Sequence, residues 1–396
     1  MKILTILYTL AVFALPVFAQ SEIETIKKAN DLIANKKYES AFSLLHNYDP
    51  ENNNSEIILL KVDIAMNYFV SSIMHQMFAF KDLDSNENIM DYRGKEGDYG
   101  MYAFAIDSVL NNLIKKEPGN CKLYRGLGEF YYIAYLMYAG KWLKEDSELF
   151  KLIETNNQKA IDGNCADFFT FHTMGFVVIN QEKYKEAIPF FMKSIELNKD
   201  FGNSYYNLGI AYLHTDDIEN AIKYTMLSID IFNDFSSISD AARMLGHIYS
   251  DLNDDTNSVF YYEIADKYDS VNYNNIKPML NIYVKTGNPK FLETTKRFFN
   301  MDPVNPTIYT DLQNIFFNND KGDFLIDFYK EQLAAYKDND NVTGNINFFL
   351  GNIFLGTDKK LSKEYYLKSK ALFTKVYAPD HEVFKAIEDG LKQAEE

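Results

Sequence analysis

FFTFHTMGFVVINQEKYKEAIPFFMKSIELN, residues 168–198, is followed almost at once by SYYNLGIAYLHTDDIENAIKYTMLSIDIFN, residues 204–233. Gly175 and Gly209 stand 34 residues apart, and so do Ala187 and Ala221. Each copy reads as two amphipathic helices joined by a polar turn. Such a pair cannot cover its own apolar stripe, so it buries it against the next pair. A glycine in the first helix lets the second approach closely, at a propensity cost of roughly 1 kcal/mol against alanine. Ala187 and Ala221 would allow the same contact from the other side.

The matching positions are Phe171, Met174, Gly175, Val178, Ala187 and Phe191, then Tyr205, Leu208, Gly209, Tyr212 and Ala221. Two copies in register resemble the tetratricopeptide repeat: an aromatic, Leu-Gly, an aromatic, and a small residue in the second helix. The resemblance implies an all-α fold, a right-handed superhelical solenoid of antiparallel helix pairs. About eight pairs are expected, with little or no strand. It names a scaffold rather than a reaction.

Working outward, NKKYESAFSLL (residues 35–45) repeats the second-helix opening, with Tyr38 and Ala41 placed as Tyr184 and Ala187 are. Residues 56–81 read as one long helix with Met66, Met74 and Met77 on or near its apolar side, where methionine usually fills core. A long loop, 82–100, would follow, then a partner helix over 101–116. CKLYRGLGEFYY matches the first-helix pattern at Tyr124, Leu127, Gly128 and Tyr131, in a helix expected to run on through Trp142. Its partner would span 147–162. Leu245, Gly246 and Tyr249 mark another copy, and Gly246 to Gly351 is 105 residues, three units of 35. Two degenerate repeats fit between, with first helices near 276–285 and 308–318. The last clear unit is NFFLGNIFLG with 361–376, and 381–396 reads as a polar capping helix. The expected organisation is a signal peptide (1–19), irregular N-terminal repeats (20–120), the best-formed repeats (121–270), degenerate repeats (271–378) and the cap (379–396).

Composition sets limits. Hydrophobic residues make up 47% of the 396, ample to pack a core rather than leave a disordered chain. Net charge is −16, which makes nucleic acid a poor partner, since its recognition needs a basic stripe. A basic protein or a metal ion would suit this field better, although acidity more often just keeps a protein soluble. Lys2, an apolar run to Phe18 and Val17-Phe18-Ala19 read as a secretory signal peptide. No cysteine follows Ala19, so a lipoprotein anchor is not expected. The short signal and the resemblance to exported bacterial envelope proteins imply a periplasmic protein, with secretion as the alternative. No later stretch is uninterrupted and long enough to span a membrane.

Cys121 and Cys165 each follow a Gly-Asn just before a first helix. A disulfide needs Cα atoms within about 7 Å, whereas neighbouring helix axes lie about 8–10 Å apart. The sequence leaves a bridge and two isolated thiols both open.

No catalytic constellation emerges. His46, His75, His172, His214, His247 and His381 are scattered, without HExxH or cysteines at metal spacing. There is no phosphate loop or nucleophile elbow. Asp82, Asp84 and Asn86, like Asp251, Asn253 and Asp255, have the alternate spacing of a calcium loop. Both lack its glycine and its final glutamate, so they read as turn formers. The expectation is no enzyme, no metal and no cofactor.

In repeat solenoids of this kind the first helices line a concave groove that takes a peptide. Residues three before and one after each repeat glycine give Arg125 and Glu129, His172 and Phe176, Tyr206 and Ile210, Arg243 and His247, Phe348 and Asn352. The next turn adds Tyr132, Ile179 and Leu213. The partner-binding candidates are therefore Arg125, Glu129, Tyr132, His172, Phe176, Ile179, Tyr206, Ile210, Arg243 and His247. Relatives that grip acidic C-terminal tails carry Lys and Asn at these offsets. Here they are absent, so that carboxylate clamp does not carry over. The function expected is a non-catalytic interaction scaffold or adaptor of the cell envelope. The alternative is a carrier holding a small apolar ligand between helices, lined by the methionine-bearing segment and by residues 130–138.

Overall fold

The computed structural model describes residues 22–138 and 144–396. The expected signal peptide and Trp142 lie outside them. The described residues form nineteen α-helices, nine successive pairs and a final single helix, against the eight or so pairs expected. The chain divides into two compact units at Ala221/Ile222.

The first unit contains α1 (residues 22–34), α2 (Tyr38–Tyr48), α3 (Ser55–Asn67), α4 (Ile106–Lys116), α5 (Cys121–Tyr138), α6 (Asp146–Asp162), α7 (Phe168–Asn180), α8 (Tyr184–Leu197) and α9 (Gly202–Leu213). Helix α10 (Ile218–Ile231) crosses the division. Helix α7 starts on a full capping box, in which Asp167 accepts from the Thr170 amide while Thr170 answers the Asp167 amide.

Residues 56–81 are not one helix. Helix α3 stops at Asn67, and a three-stranded antiparallel sheet follows: β1 (Ser71–Ile73), β2 (Met77–Ala79) and β3 (Met101–Ala103). Phe78 pairs with Ser72 on one side and Tyr102 on the other. The turn between β1 and β2 holds Met74 and His75 at φ 47° and 52°, the left-handed pair of a tight hairpin. Without Asn-Gly to mark it, a short apolar run reads equally as helix or strand. Of the three methionines, Met66 is core, but Met74 is exposed. The first three residues of the expected 101–116 helix are strand instead. The sheet buries Phe78 and Phe80 completely, the latter 4.5 Å ring to ring from Phe42. Burying a phenylalanine is worth about 1.5–3 kcal/mol, so this insertion contributes to the core rather than hanging from it. The loop behind it is pinned: Lys36 Nζ donates to the Ser85 and Glu87 carbonyls, and Arg93 stacks on Phe69.

The second unit holds α11 (Phe235–Asp251), α12 (Asp255–Tyr268), α13 (Tyr273–Thr286), α14 (Phe291–Met301), α15 (Pro306–Phe317), α16 (Gly322–Ala335), α17 (Asp340–Phe354), α18 (Lys359–Phe373) and the terminal α19 (Glu382–Glu395). Both degenerate repeats, α13–α14 and α15–α16, lie where the 105-residue interval put them. The α15 start is fixed by Asn305 as cap with Pro306 in the first turn.

The repeat pattern is explained atom by atom. A Cβ on Gly175 would fall 2.7 Å from the Phe191 ring, one on Gly246 2.9 Å from Tyr262, and one on Gly351 2.8 Å from Tyr366. At these three positions the glycine makes room for an aromatic ring of the second helix, not for its alanine, whereas at Gly128 it makes room for Asn157. The alanine site is itself close-packed: Ala187 and Ala221 are fully buried, and Ser258 in the same register donates to the Gly246 carbonyl at 2.8 Å. Seven residues beyond their glycines, Glu182, Asp216 and Asn253 take φ of 60°, 60° and 57°. One left-handed residue thus reverses the chain between paired helices.

Candidate functional site

In the first unit, residues of α1, α3, α5, the start of α7 and Phe201 line a groove of about 630 Å³. Helix α3 contributes Glu56, Leu59, Leu60, Asp63 and Asn67, and α5 contributes Lys122, Arg125, Gly126, Glu129 and Ile133. Counted from Glu56 and from Lys122, the others stand 3, 4, 7 and 11 residues on, one face of each helix. Apart from Val62, which also lines the groove, they are the same positions, offset by 66. Two neighbouring first helices therefore present equivalent faces side by side. A Cβ on Gly126 would meet Leu59 at 2.9 Å, so the glycine keeps the two faces close. Phe168, Phe169 and Phe201 close the far side, with Phe168 and Phe201 edge to face at 5.1 Å.

The charges in the groove are partly matched. Lys122 Nζ bonds Glu56 at 2.7 Å. Arg125 Nη1 lies 3.4 Å from the Asp167 carboxylate and 3.4 Å from the Cys165 carbonyl, to which it donates. Among the described residues Glu129 has no such ion pair. Burial pushes its carboxyl up to about 7; Asp167 and Asp63 push the same way and Arg125 opposes them. Asp63 is exposed on the groove, where the neighbouring protein still raises its carboxyl by desolvation against the bond it accepts from Asn67 at 2.9 Å.

Cys121 and Cys165 are joined in a disulfide, with Cα atoms 5.7 Å apart. The interaxial spacing of helices misjudged this pair because Cys165 is not on a helix. Asn164, at φ 58°, turns the chain so that the Cys165 amide bonds back to the Ala160 carbonyl. Gly163 lies so near that a Cβ there would be 2.4 Å from that of Cys121. The bridge ties the start of α5 to the segment leading into α7, beneath Arg125 and Asp167.

Of the sequence-derived candidates, Arg125 and Glu129 line the groove. Tyr132 and His172 are buried: the Tyr132 hydroxyl lies 3.2 Å from His172 Nε2, and His172 Nδ1 lies 3.1 Å from Ser204 Oγ, itself 2.8 Å from Ser194 Oγ. Burial drives the His172 imidazole down to about 3, so it stays neutral in this internal network. Phe176 packs on Tyr132, Tyr135 and Phe150, with the Tyr132 ring 5.1 Å away. Ile179, Tyr206 and Ile210 are half-buried and do not line the groove. Arg243 and His247 belong to the second unit. There Arg243 pairs with Asp240 and donates to Asn275, and His247 Nδ1 lies 2.8 Å from the Tyr262 hydroxyl. His247 also edges a hollow of about 340 Å³ with Tyr273, Lys277 and Ile315.

Sequence reasoning missed Asp63, Asn67, Lys122, Asp167, Phe168, Phe169 and Phe201. The signal for the first three was the 66-residue register of α3 and α5. It was masked because Val62 stands where Gly128 stands in the later repeat. The two calcium-like loops do act in turns and caps: Asp82 accepts from the Ser40 amide at 3.0 Å, Asp254 caps α12, and Asp255 pairs with Lys285 at 2.7 Å. Among the described residues no group of three His, Cys, Asp or Glu side chains could hold a metal ion, and no helix is long and apolar enough to cross a membrane.

Sequence models of the tetratricopeptide repeat match residues 190–223 in one form and residues 171–201 and 244–272 in another. No curated protein matches. Among solved structures, a tetratricopeptide repeat protein from Parabacteroides merdae is 14% identical, covering 69% of this chain and 99% of its own, at a TM-score of 0.39. The C-terminal part of a TPR repeat-containing protein from Cytophaga hutchinsonii is 14% identical over 72% of this chain and 93% of its own, TM-score 0.42. PilF of Pseudomonas aeruginosa is 13% identical over 52% and 87%, TM-score 0.41. The middle of the chain therefore carries tetratricopeptide repeats, and the glycine-on-ring helix pairing seen within that stretch recurs beyond it at Gly351.

Proposed function

We propose that this protein is a non-catalytic scaffold or adaptor that holds a segment of a partner protein in the groove between α1, α3, α5 and α7. Tetratricopeptide repeat proteins as a class bind proteins or peptides. The observation that carries the reading is the pair of equivalent first-helix faces, apolar at Leu59, Leu60 and Ile133 and charged at the levels between. A segment laid across them buries side chains on an existing surface, with little reorganisation. The aromatic run expected to line a carrier cavity is instead core: Phe130, Tyr131 and Tyr132 are buried. From the N-terminal sequence, we assign the protein to the bacterial periplasm, within the cell envelope.

The test is position-specific photo-crosslinking in envelope extracts of the native cell. A photoreactive residue at Asn67 or Lys122 should trap one partner that the same probe at Lys193, on exposed α8 surface, does not. Identical products from both faces, or none from the groove, would overturn the assignment. Detection of the probe-bearing protein in the cytoplasmic fraction alone would overturn the localisation.

A further inference from the structure

We propose that the partner segment carries a lysine or arginine whose side chain is received between Asp63 and Glu129, while its apolar neighbours rest on Leu59, Leu60 and Ile133. This rests on the groove reading above and names the chemistry of its occupant.

The inference comes from comparing two levels of one groove. Glu56 of α3 and Lys122 of α5 occupy equivalent positions and bond across the groove at 2.7 Å. Seven residues, two helical turns, further along the same pair of faces the equivalent positions hold Asp63 and Glu129. At the first level the chain supplies its own cation; at the second it supplies two acids and no cation.

The remaining charges do not change this. The groove holds four acidic residues, Glu56, Asp63, Glu129 and Asp167, and two basic ones, Lys122 and Arg125. Both basic groups are already engaged, with Glu56 and Asp167. Two carboxyls are left facing the cavity, and Asn67 offers Asp63 only a neutral donor. Glu129 is half-buried and Asp63 exposed beside it; a half-buried carboxylate is costly unless something positive joins it.

The geometry does not suit a metal, since no three potential ligands converge there. An ammonium or guanidinium on a peptide fits better, because it can donate to both carboxyls while its aliphatic stem lies along the leucines. The field of the whole chain, −16, draws basic segments toward this surface.

Acid should weaken such binding. Glu129 faces Asp63 from α3, Asp167 from the start of α7, and Arg125 on its own helix. With its carboxyl raised to about 7, it is largely neutral below that pH and offers a cation less.

The experiment uses the full chain and three pools of fluorescein-labelled dodecapeptides. All are built from Leu, Trp, Ser and Gly in random order and differ only in whether two central positions are lysine, norleucine or glutamate. At about pH 8, fluorescence anisotropy should show the lysine pool binding about tenfold tighter than the norleucine pool, and tighter still than the glutamate pool. The lysine advantage should shrink severalfold at about pH 5.5. In a Asp63→Asn, Glu129→Gln double variant with unchanged circular dichroism, lysine and norleucine pools should bind within about twofold of each other.

Equal binding of all pools by the unmodified chain, or a lysine preference that survives in the double variant, would overturn this inference and leave the groove reading standing. Absence of binding by every pool would count against both. Displacement of the lysine pool by an equal concentration of spermidine would assign the acids to a small polyamine and overturn the peptide proposal.

Discussion

Glu129 shows how far a single side chain can be followed. Its carboxyl binds a proton more tightly in the folded chain, at about 7, than in an unfolded one, near 4.5. Between those values the folded state holds the extra proton, so stability falls as pH rises and the deficit is complete above about 7. Allowing for the solvent that reaches the groove, the deficit is about 1–2 kcal/mol. Glu129→Gln should therefore be more stable than the unmodified protein by about that amount at pH 8 and equal to it near pH 4.5, by urea denaturation at the two pH values. A variant less stable at pH 8 would mean the carboxylate has a partner. At Gly246 the sign is reversed. Alanine there gains about 1 kcal/mol of helix propensity but drives its methyl against the buried Tyr262 ring, at an overpacking cost of about 1–3 kcal/mol. A net loss of about 1 kcal/mol is expected in the same measurement, whereas Ala at an unobstructed helical glycine would stabilise. The spacing of these glycines was plain in the sequence. What they accommodate was not, because periodicity registers that a position is small without saying which neighbour fills the space.

Among the elements, the disulfide has the clearest consequence. It closes a separation of 44 residues around α5, α6 and the turn into α7. Constraint of the unfolded chain over such a loop is worth about 4 kcal/mol at most, and about 2–4 kcal/mol in practice. Cys121→Ser with Cys165→Ser should lower first-unit stability by that much. Dithiothreitol should do the same to the unmodified protein and nothing further to the variant. If reductant destabilises both equally, the bridge is not the cause. Helix pairs were legible almost throughout, down to the two degenerate repeats, because helical periodicity and the repeat interval are properties of the chain itself. The sheet was not legible. Its hairpin turns at Met74-His75, residues that carry no turn signature, and its strands are three residues long. Nor was the burial of Tyr132 and His172: the offsets that put Arg125 and Glu129 in the groove assume a uniform stack. The hydrogen-bonded chain from Tyr132 through His172 to Ser204 draws that level inward instead.

At the scale of the molecule, stability within each unit should be a sum of local contributions, since successive helix pairs there pack on one another. The second unit offers the cleanest test because it ends in a helix with one job. The apolar face of α19 buries Ile387 completely, and Gly390 sits so close to Tyr366 that a Cβ would be 2.5 Å from the ring. The far face of α19 is polar, as the end of a repeat stack must be to stay soluble. Ion pairs from Lys363 to Glu395 and from Lys370 to Glu388 fasten it, but they are exposed and worth little. A chain ending at Ala378 uncovers Tyr366 and Phe373 on α18. In hydrogen-exchange mass spectrometry, protection should then fall most in α17 and α18, less in α15 and α16, and hardly at all in α11 and α12. Loss spread evenly from α11 to α18 would mean that the unit unfolds as one cooperative body and that the repeats do not act as separable parts. A graded loss is what a nearest-neighbour stack requires. In such a stack the groove of the first unit owes its rigidity to the pairs that adjoin it, and there the inserted sheet and the disulfide supply what helix packing alone would not.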